Sequence, residues 1–140
     1  MLLQHFPYLQ TIIGGVIAYL LGWMWYHPRV MGARWLDARG LTPEEGVNPK
    51  VFPSLISFGL WMLTSCFYSF LVIGFKLDPV GLLCFSCLLW VAFAMPATVM
   101  GALYTGRPFS FVAIDSAYQL CGYYVLAVVH IAFGAAGLPY

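Results

Sequence analysis

The chain has 140 residues, of which 62% are hydrophobic and 8% are charged, and its formal net charge is +1. Soluble domains are about 45–50% apolar and about 25% charged, and so few charges cannot cover the surface of a soluble domain. The composition therefore excludes an ordinary soluble domain and predicts a single transmembrane domain over residues 1–140, with the lipid bilayer as its solvent. The near-neutral charge predicts no binding to nucleic acid.

Four windows of about 20 apolar residues predict membrane-spanning helices. They cover residues 8–26, 52–75, 79–104 and 109–134, and the one charged side chain within them is that of Asp115. Turns with a proline separate the second from the third window and the third from the fourth. We therefore expect an all-α polytopic membrane protein, a four-transmembrane-helix bundle.

The loop between the first two predicted spans is long enough to hold structure of its own. Residues 28–39 predict a short helix that lies at the membrane interface, with Met31, Trp35 and Ala38 on one face. Gly40 is a suitable C-terminal cap for it, and residues 42–45 have the form of a helix-capping box. We expect this loop to be ordered.

Basic residues predict the orientation of the spans. The first and third loops contain five of them, and Lys76 alone lies in the second loop; the five are Arg29, Arg34, Arg39, Lys50 and Arg107. Loops rich in Lys and Arg stay on the cytoplasmic side of a membrane. We therefore expect the first and third loops inside and both termini outside.

Two features of the spans predict helix packing and helix irregularity. Gly14, Ala18 and Gly22 place small residues on one face of the first span, which suits close packing either inside the bundle or in a homodimer. Pro96 lies inside the third span and predicts a kink near residues 93–95. Such a break lines the binding site in some transporters, and it also occurs in membrane helices without that role.

Asp115 is the strongest candidate for a functional residue. A carboxylate within a span is costly, so it usually has a partner or a task. Arg107 and Arg34 are candidate ion-pair partners, and Tyr118 and Gln119 lie on the same helix face at spacings of three and four residues. The interpretations are a clamp between the first loop and the fourth helix, a polar path for an ion or small molecule, and a catalytic or proton-handling role.

The Cys and His residues predict no metal site and no cofactor. Cys84 and Cys87 have the spacing of a metal or redox pair, but they lie in an apolar run and no second ligand pair is near them. His5 and His130 fall on the same predicted side and could act as two axial haem ligands. We expect the cysteines to pack as small apolar side chains.

A signature in the first loop resembles a known family. Its residues are Trp25, Tyr26, Pro28, Gly32, Trp35 and Gly40, the last followed by Leu-Thr-Pro-Glu-Glu. The stretch is similar to the small bacterial membrane proteins grouped as domain-of-unknown-function family 1761. The resemblance implies a four-helix protein of the bacterial cytoplasmic membrane, with Arg107, Asp115 and Tyr118 as the signature of the last helix. It implies no activity, and Ala33 stands where the family commonly has a basic residue.

Three classes of function fit these observations. The first is an accessory or scaffolding membrane protein that binds itself or another membrane subunit; short loops and the lack of a complete catalytic motif favour this non-enzymatic role. The second is a small oligomeric transporter or channel component that uses Asp115, Gln119 and the break at Pro96. The third is a membrane redox or lipid-modifying enzyme, suggested by the His, Cys and aromatic residues.

Overall fold

The structure is a computed structural model that describes residues 5–42, residue 44 and residues 51–134. Within these ranges the regular structure is helical, and four helices are long and apolar enough to cross a membrane. They are Tyr8–Trp25, Val51–Phe75, Pro79–Tyr104 and Phe109–Ala132. The prediction of an all-α protein with four such helices is confirmed. The predicted capping box at residues 42–45 lies largely outside the described residues.

The elements follow in simple chain order. Helix α1 is Tyr8–Trp25, a π-helical turn follows at Pro28–Gly32, and α2 is Ala33–Ala38. Helix α3 is Val51–Phe75. The third span consists of α4 (Pro79–Leu89), a π-helical segment (Trp90–Ala94) and α5 (Met95–Tyr104), and α6 is Phe109–Ala132.

Local residues explain where the helices begin and end. The Asp78 side chain accepts a hydrogen bond of 3.1 Å from the backbone N–H of Gly81, and Pro79 occupies the first helical position of α4. Gly40 ends α2 and Gly106 ends α5, each with a positive φ that a glycine adopts without strain. The Asp78 cap therefore fixes where the third span begins after the second. Gly106 ends α5 and so determines where α6 can begin.

Helices α1 and α6 are the central pair of the bundle. Helix α3 packs against α1, and the third span packs against α6. The predicted small-residue face of α1 is buried, and a side chain at Gly14 would come within 2.9 Å of Leu126 on α6. Gly14, Ala18 and Gly22 therefore face the inside of the bundle, where they cannot form the surface of a homodimer.

The third span is irregular before Pro96. The prediction is a kink near residues 93–95, and the structure has a π-helical segment at Trp90–Ala94, which overlaps that position. Proline has no N–H to donate, so the preceding turn loses a hydrogen bond and the wider turn accommodates the loss. The Trp90 indole N–H donates to the backbone carbonyl of Ser116 at 2.8 Å and ties this segment to α6.

Candidate functional site

Asp115 lies in the second turn of α6 and is held by two side chains from the other end of the sequence. Its Oδ1 atom accepts hydrogen bonds from the Tyr26 hydroxyl at 2.6 Å and from the Trp35 indole N–H at 2.9 Å. Tyr26 directly follows α1, and Trp35 belongs to α2. One carboxylate oxygen therefore joins the end of the first span, the loop helix and the fourth span.

The predicted arginine partners of Asp115 need correction. In the described part of the chain neither Arg107 nor Arg34 forms an ion pair with this carboxylate. The Arg107 guanidinium lies 5.4 Å from the Phe111 ring centre, and that of Arg39 lies 4.5 Å from the Trp35 ring centre. A guanidinium group at the end of a bundle can stay in contact with water. The two groups that donate to the Asp115 carboxylate are instead the half-buried side chains of Tyr26 and Trp35.

Burial keeps Tyr26 in the form that donates. Loss of water around the phenol, together with its hydrogen bond to Asp115 and the charge of that carboxylate, holds the pKa of Tyr26 well above its usual range. The hydroxyl therefore keeps its proton at any pH that the protein meets. A neutral donor suits a structural contact, because it holds the carboxylate without a second buried charge.

A row of aromatic rings extends from this contact into the bundle. Ring centres are 5.5 Å apart for Trp35 and Tyr26, 5.3 Å for Tyr26 and Tyr118, and 5.6 Å for Tyr118 and Trp61, all edge to face. The Tyr118 hydroxyl accepts a hydrogen bond from the Trp61 indole and donates to the Ala18 carbonyl. This row, Trp35–Tyr26–Tyr118–Trp61, connects α2, α1, α6 and α3.

Two glycines make room for the aromatic row. A Cβ atom at Gly22 would overlap the phenol ring of Tyr118, and one at Gly122 would overlap the indole of Trp61. Gly22 was singled out from the sequence as a packing residue, and the structure gives the reason. Gly122 was not singled out for packing, because nothing in its neighbourhood on α6 indicates that an indole from α3 covers it.

The loop signature builds the turn that carries Trp35 to Asp115. Pro28 begins the π-helical turn, and the Gly32 N–H donates to the His27 carbonyl at 3.0 Å. A Cβ atom at Gly32 would overlap the carbonyl oxygen of Tyr26, so the chain can fold back this tightly only with glycine there. Gly40 then ends α2, as described above.

Gln119 belongs to a different contact. Its amide N–H donates to the Thr98 hydroxyl at 3.2 Å, and Thr98 in turn donates to the Ala94 carbonyl at 2.9 Å. The pair joins α6 to the third span beside the π-helical segment. Asp115 and Gln119 therefore do not form one polar surface, although the spacing of four residues places them on neighbouring parts of α6.

The structure contains a buried polar cluster that the sequence analysis missed. Ser69 lies 2.6 Å from the Thr11 hydroxyl and 2.9 Å from Nε2 of His130, while Nδ1 of His130 lies 2.8 Å from the Leu126 carbonyl oxygen. Because a carbonyl only accepts, Nδ1 carries a hydrogen toward Leu126, while the Ser69 hydroxyl also donates to the Ser65 carbonyl at 2.9 Å. The one available signal was the spacing of Ser65 and Ser69, which places two hydroxyls on one face of α3.

This cluster overturns the interpretation of His130 as a haem ligand. His130 is fully buried and both of its ring nitrogens are occupied, so it has no free position for an iron. Among the described residues no group of three or more His, Cys, Asp or Glu side chains could hold a metal ion. Cys84 and Cys87 are free thiols, like Cys66 and Cys121.

A cleft lies beside the Asp115 contact. It has a volume of about 490 Å³ and is formed by Trp25 at the end of α1, by the loop helix, and by the first turns of α6. Arg34 and Asp37 are its charged residues. The Trp25 indole N–H is buried and has no hydrogen-bond acceptor in the part of the chain that the structure describes.

Comparison with known proteins assigns the family. A search of curated proteins and a search of solved structures gave no match. The model of the family described as "Protein of unknown function (DUF1761)" matches residues 9–131, a range that includes the loop signature, Arg107, Asp115 and Tyr118. The match covers most of the chain and agrees with the resemblance found in the first loop. The chain therefore belongs to the DUF1761 family.

Proposed function

We propose that the chain is an accessory membrane protein that presents its first loop, in one fixed conformation, to another membrane subunit or to a second copy of itself. One observation carries the proposal: Asp115 accepts hydrogen bonds from both Tyr26 and Trp35. These bonds hold the loop against the bundle from both ends of its π-helical turn. Because the Asp115 carboxylate already accepts these two hydrogen bonds, the contact favours a clamp over a path in which Asp115 binds an ion or a small molecule.

The clamped loop offers a suitable binding surface. Arg29 and Val30 are exposed in it, and Val30 exposes 45% of its surface. An exposed apolar side chain next to a basic residue combines a contact for burial with a hydrogen-bonding cation. Because residues 28–39 are held against the bundle before they meet a partner, binding does not have to order them, and preorganisation of this kind raises affinity.

The proposal places the protein in the bacterial cytoplasmic membrane with both termini outside. Arg29, Arg34, Arg39 and Arg107 all lie at the end of the bundle that holds the first and third loops, and Lys76 lies in the hairpin at the opposite end. The excess of basic residues favours the cytoplasm for the end with the clamp. The loop would then meet its partner at the cytoplasmic surface.

Photocrosslinking from the loop tests the proposal. A photoreactive amino acid at Val30, in the chain expressed in its own membrane, should give one discrete adduct of one-to-one composition. Adding Asp115→Ala should remove that adduct, because the loop loses its anchor. The same photoreactive group at Val80, which is also exposed but lies in α4 near the opposite end, is the matched control and should give no such adduct.

Two results would contradict the proposal. One is the lack of any discrete adduct from Val30 in a membrane where the protein is shown to be inserted. The other is an adduct of equal yield with and without Asp115→Ala, since the partner would then not depend on the anchored loop.

A small oligomeric transporter is the second candidate. The observation that favours it is the contact between Gln119 and Thr98, which lies beside the π-helical segment Trp90–Ala94, and π-helical turns are frequent at functional sites. This candidate predicts a stable homo-oligomer that moves a solute across liposomes, with a rate that falls strongly in Gln119→Leu. A monomer in several mild detergents, or flux unchanged by that substitution, would remove it.

A further inference from the structure

We propose that the cleft beside the clamp is a binding site for the headgroup of a zwitterionic phospholipid that carries a phosphate and a primary ammonium group. The cleft lies between Trp25, the loop helix and the start of α6. Its position, its floor and its two charges each fit one part of such a lipid. The proposal does not depend on a protein partner for the loop.

The size and lining of the cleft fit a lipid. Its volume of about 490 Å³ lies in the range of small-molecule pockets, which is about 300–1,000 Å³. On α6 the floor is formed by Ala113, Ile114 and Ala117, and Met31 contributes an apolar wall from the loop. Small side chains one turn apart leave a groove along α6. The groove starts at the end of the span and runs toward the hydrocarbon, so it suits the upper part of an acyl chain.

The charges of the cleft fit a zwitterion. Arg34 and Asp37 are three residues apart in α2, so they share one helix face, and both line the cleft. In the described part of the chain they form no ion pair with each other or with another residue. A guanidinium group binds a phosphate through paired hydrogen bonds, and a carboxylate accepts from an ammonium group. An anionic headgroup would satisfy Arg34 and be repelled by Asp37.

Trp25 forms one wall of the cleft at the end of α1. Its indole N–H is buried away from the cleft, so the ring contributes apolar surface there. Tryptophans at membrane interfaces sit at the level of the lipid headgroups. This wall therefore places the cleft at the depth where a phospholipid headgroup meets its acyl chains.

Native mass spectrometry of the full chain in mild detergent tests this site. Dioleoylphosphatidylethanolamine should give a one-to-one adduct, and dioleoylphosphatidylglycerol should need about tenfold more lipid for the same occupancy. Dioleoylphosphatidylcholine should also bind several-fold more weakly, because its quaternary ammonium group has no N–H to donate to Asp37. Arg34→Gln should lower the occupancy for phosphatidylethanolamine about tenfold, and Asp37→Asn should abolish its advantage over phosphatidylglycerol.

A pair of substitutions separates the cleft from the lipid annulus. Ala113→Phe fills the floor of the cleft and should remove the adduct, whereas Ala97→Phe, at an exposed position in α5, should leave it unchanged. If Ala113→Phe fails to fold, the exposed residues Arg34 and Asp37 decide the question alone. Equal occupancy for the three lipids, or occupancy unchanged by Arg34→Gln, would overturn the proposal and indicate ordinary annular lipid.

Discussion

At the scale of single residues, Asp115 shows how a span accommodates a carboxylate. Transfer of an aspartate to the centre of a bilayer costs about 2.5–3.5 kcal/mol on insertion scales. Asp115 avoids much of that cost, because it lies in the second turn of α6 and its Oδ1 atom accepts from Tyr26 and Trp35. The two donors come from the loop, so the carboxylate also determines where the loop sits.

Removal of either donor should destabilise the protein. Tyr26→Phe deletes the hydroxyl that donates to Asp115, and a hydrogen bond to a charged group contributes about 1.5–3 kcal/mol. Asp115→Asn should also lower thermal stability, since a neutral amide oxygen accepts more weakly than a carboxylate. Thermal unfolding in detergent measures both effects. Tyr104→Phe is the control, because Tyr104 is 93% exposed; equal midpoints for wild type and Tyr26→Phe would contradict the clamp.

Gly22 provides a second test at this scale. In Gly22→Ala the new methyl group overlaps the Tyr118 ring and displaces its contacts with Trp61 and Ala18. We expect a loss of stability of about 1–3 kcal/mol, as for overpacked cores. Gly101→Ala adds the same methyl group where no atom lies within 4 Å. It should be neutral or slightly stabilising in the same unfolding assay, and a similar loss in both variants would refute the packing role of Gly22.

Residue identities were easier to predict from the sequence than residue partners. Asp115, Tyr118 and the loop tryptophan were identifiable by type and by local spacing. Their partners were not, because Tyr26 and Trp35 lie 89 and 80 positions from Asp115. Opposite charge suggested arginine, whereas the structure uses neutral aromatic donors. The pairing of Ser69 with His130 was missed for the same reason, since it joins two helices 61 positions apart.

At the scale of elements, the first loop depends on one tight turn. The π-helical turn Pro28–Gly32 leads directly into α2, whose Trp35 reaches α6. In the spans, apolar windows predict helices well because a backbone inside lipid must satisfy its own hydrogen bonds. Pro96 predicted an irregularity in the third span, but not its π-helical form or the bond from the Trp90 indole to the Ser116 carbonyl on α6. The π-helical turn at Pro28–Gly32 was not predictable either, since it depends on the close approach of Gly32 to the Tyr26 carbonyl.

Gly32→Ala should release the loop. The added methyl group overlaps the Tyr26 backbone, so the π-helical turn must open and carry Trp35 away from Asp115. Trypsin should then cleave after Arg29, Arg34 or Arg39 several-fold faster than in wild type, which is measured by mass spectrometry of timed digests. Gly74→Ala, where a methyl group meets no atom within 4 Å, is the control. Equal cleavage rates for Gly32→Ala and wild type would show that the turn does not order the loop.

At the scale of the whole molecule, the order of packing follows from the contacts between spans. Helices α1 and α6 are central because small residues on α1 allow close approach, and because Thr11 and His130 join them through Ser69. Hydropathy gave the number of spans but not their neighbours. The neighbours are determined by contacts such as Gly22 with Tyr118 and Gly122 with Trp61. Neither pair is recognisable from the sequence, because its two residues belong to different helices.

The orientation of the molecule is testable with two reporters. Five basic residues in the first and third loops predict that these loops are cytoplasmic. Alkaline phosphatase, which is active only outside the cytoplasm, should be active when fused to the C-terminus. A reporter that works only in the cytoplasm should be silent there. The reverse pattern would place the clamp and its loop on the outer side of the membrane.

Hydrogen–deuterium exchange of the first loop tests the central claim most directly. In lipid nanodiscs, backbone amides of residues 30–38 should exchange slowly in wild type and at least about tenfold faster in Asp115→Ala, where tenfold corresponds to about 1.4 kcal/mol of lost anchoring. Amides in the middle of α6 should keep their protection, which shows that the bundle itself stays folded. Equal exchange of the loop in both proteins would contradict the claim that Asp115 clamps it to the bundle.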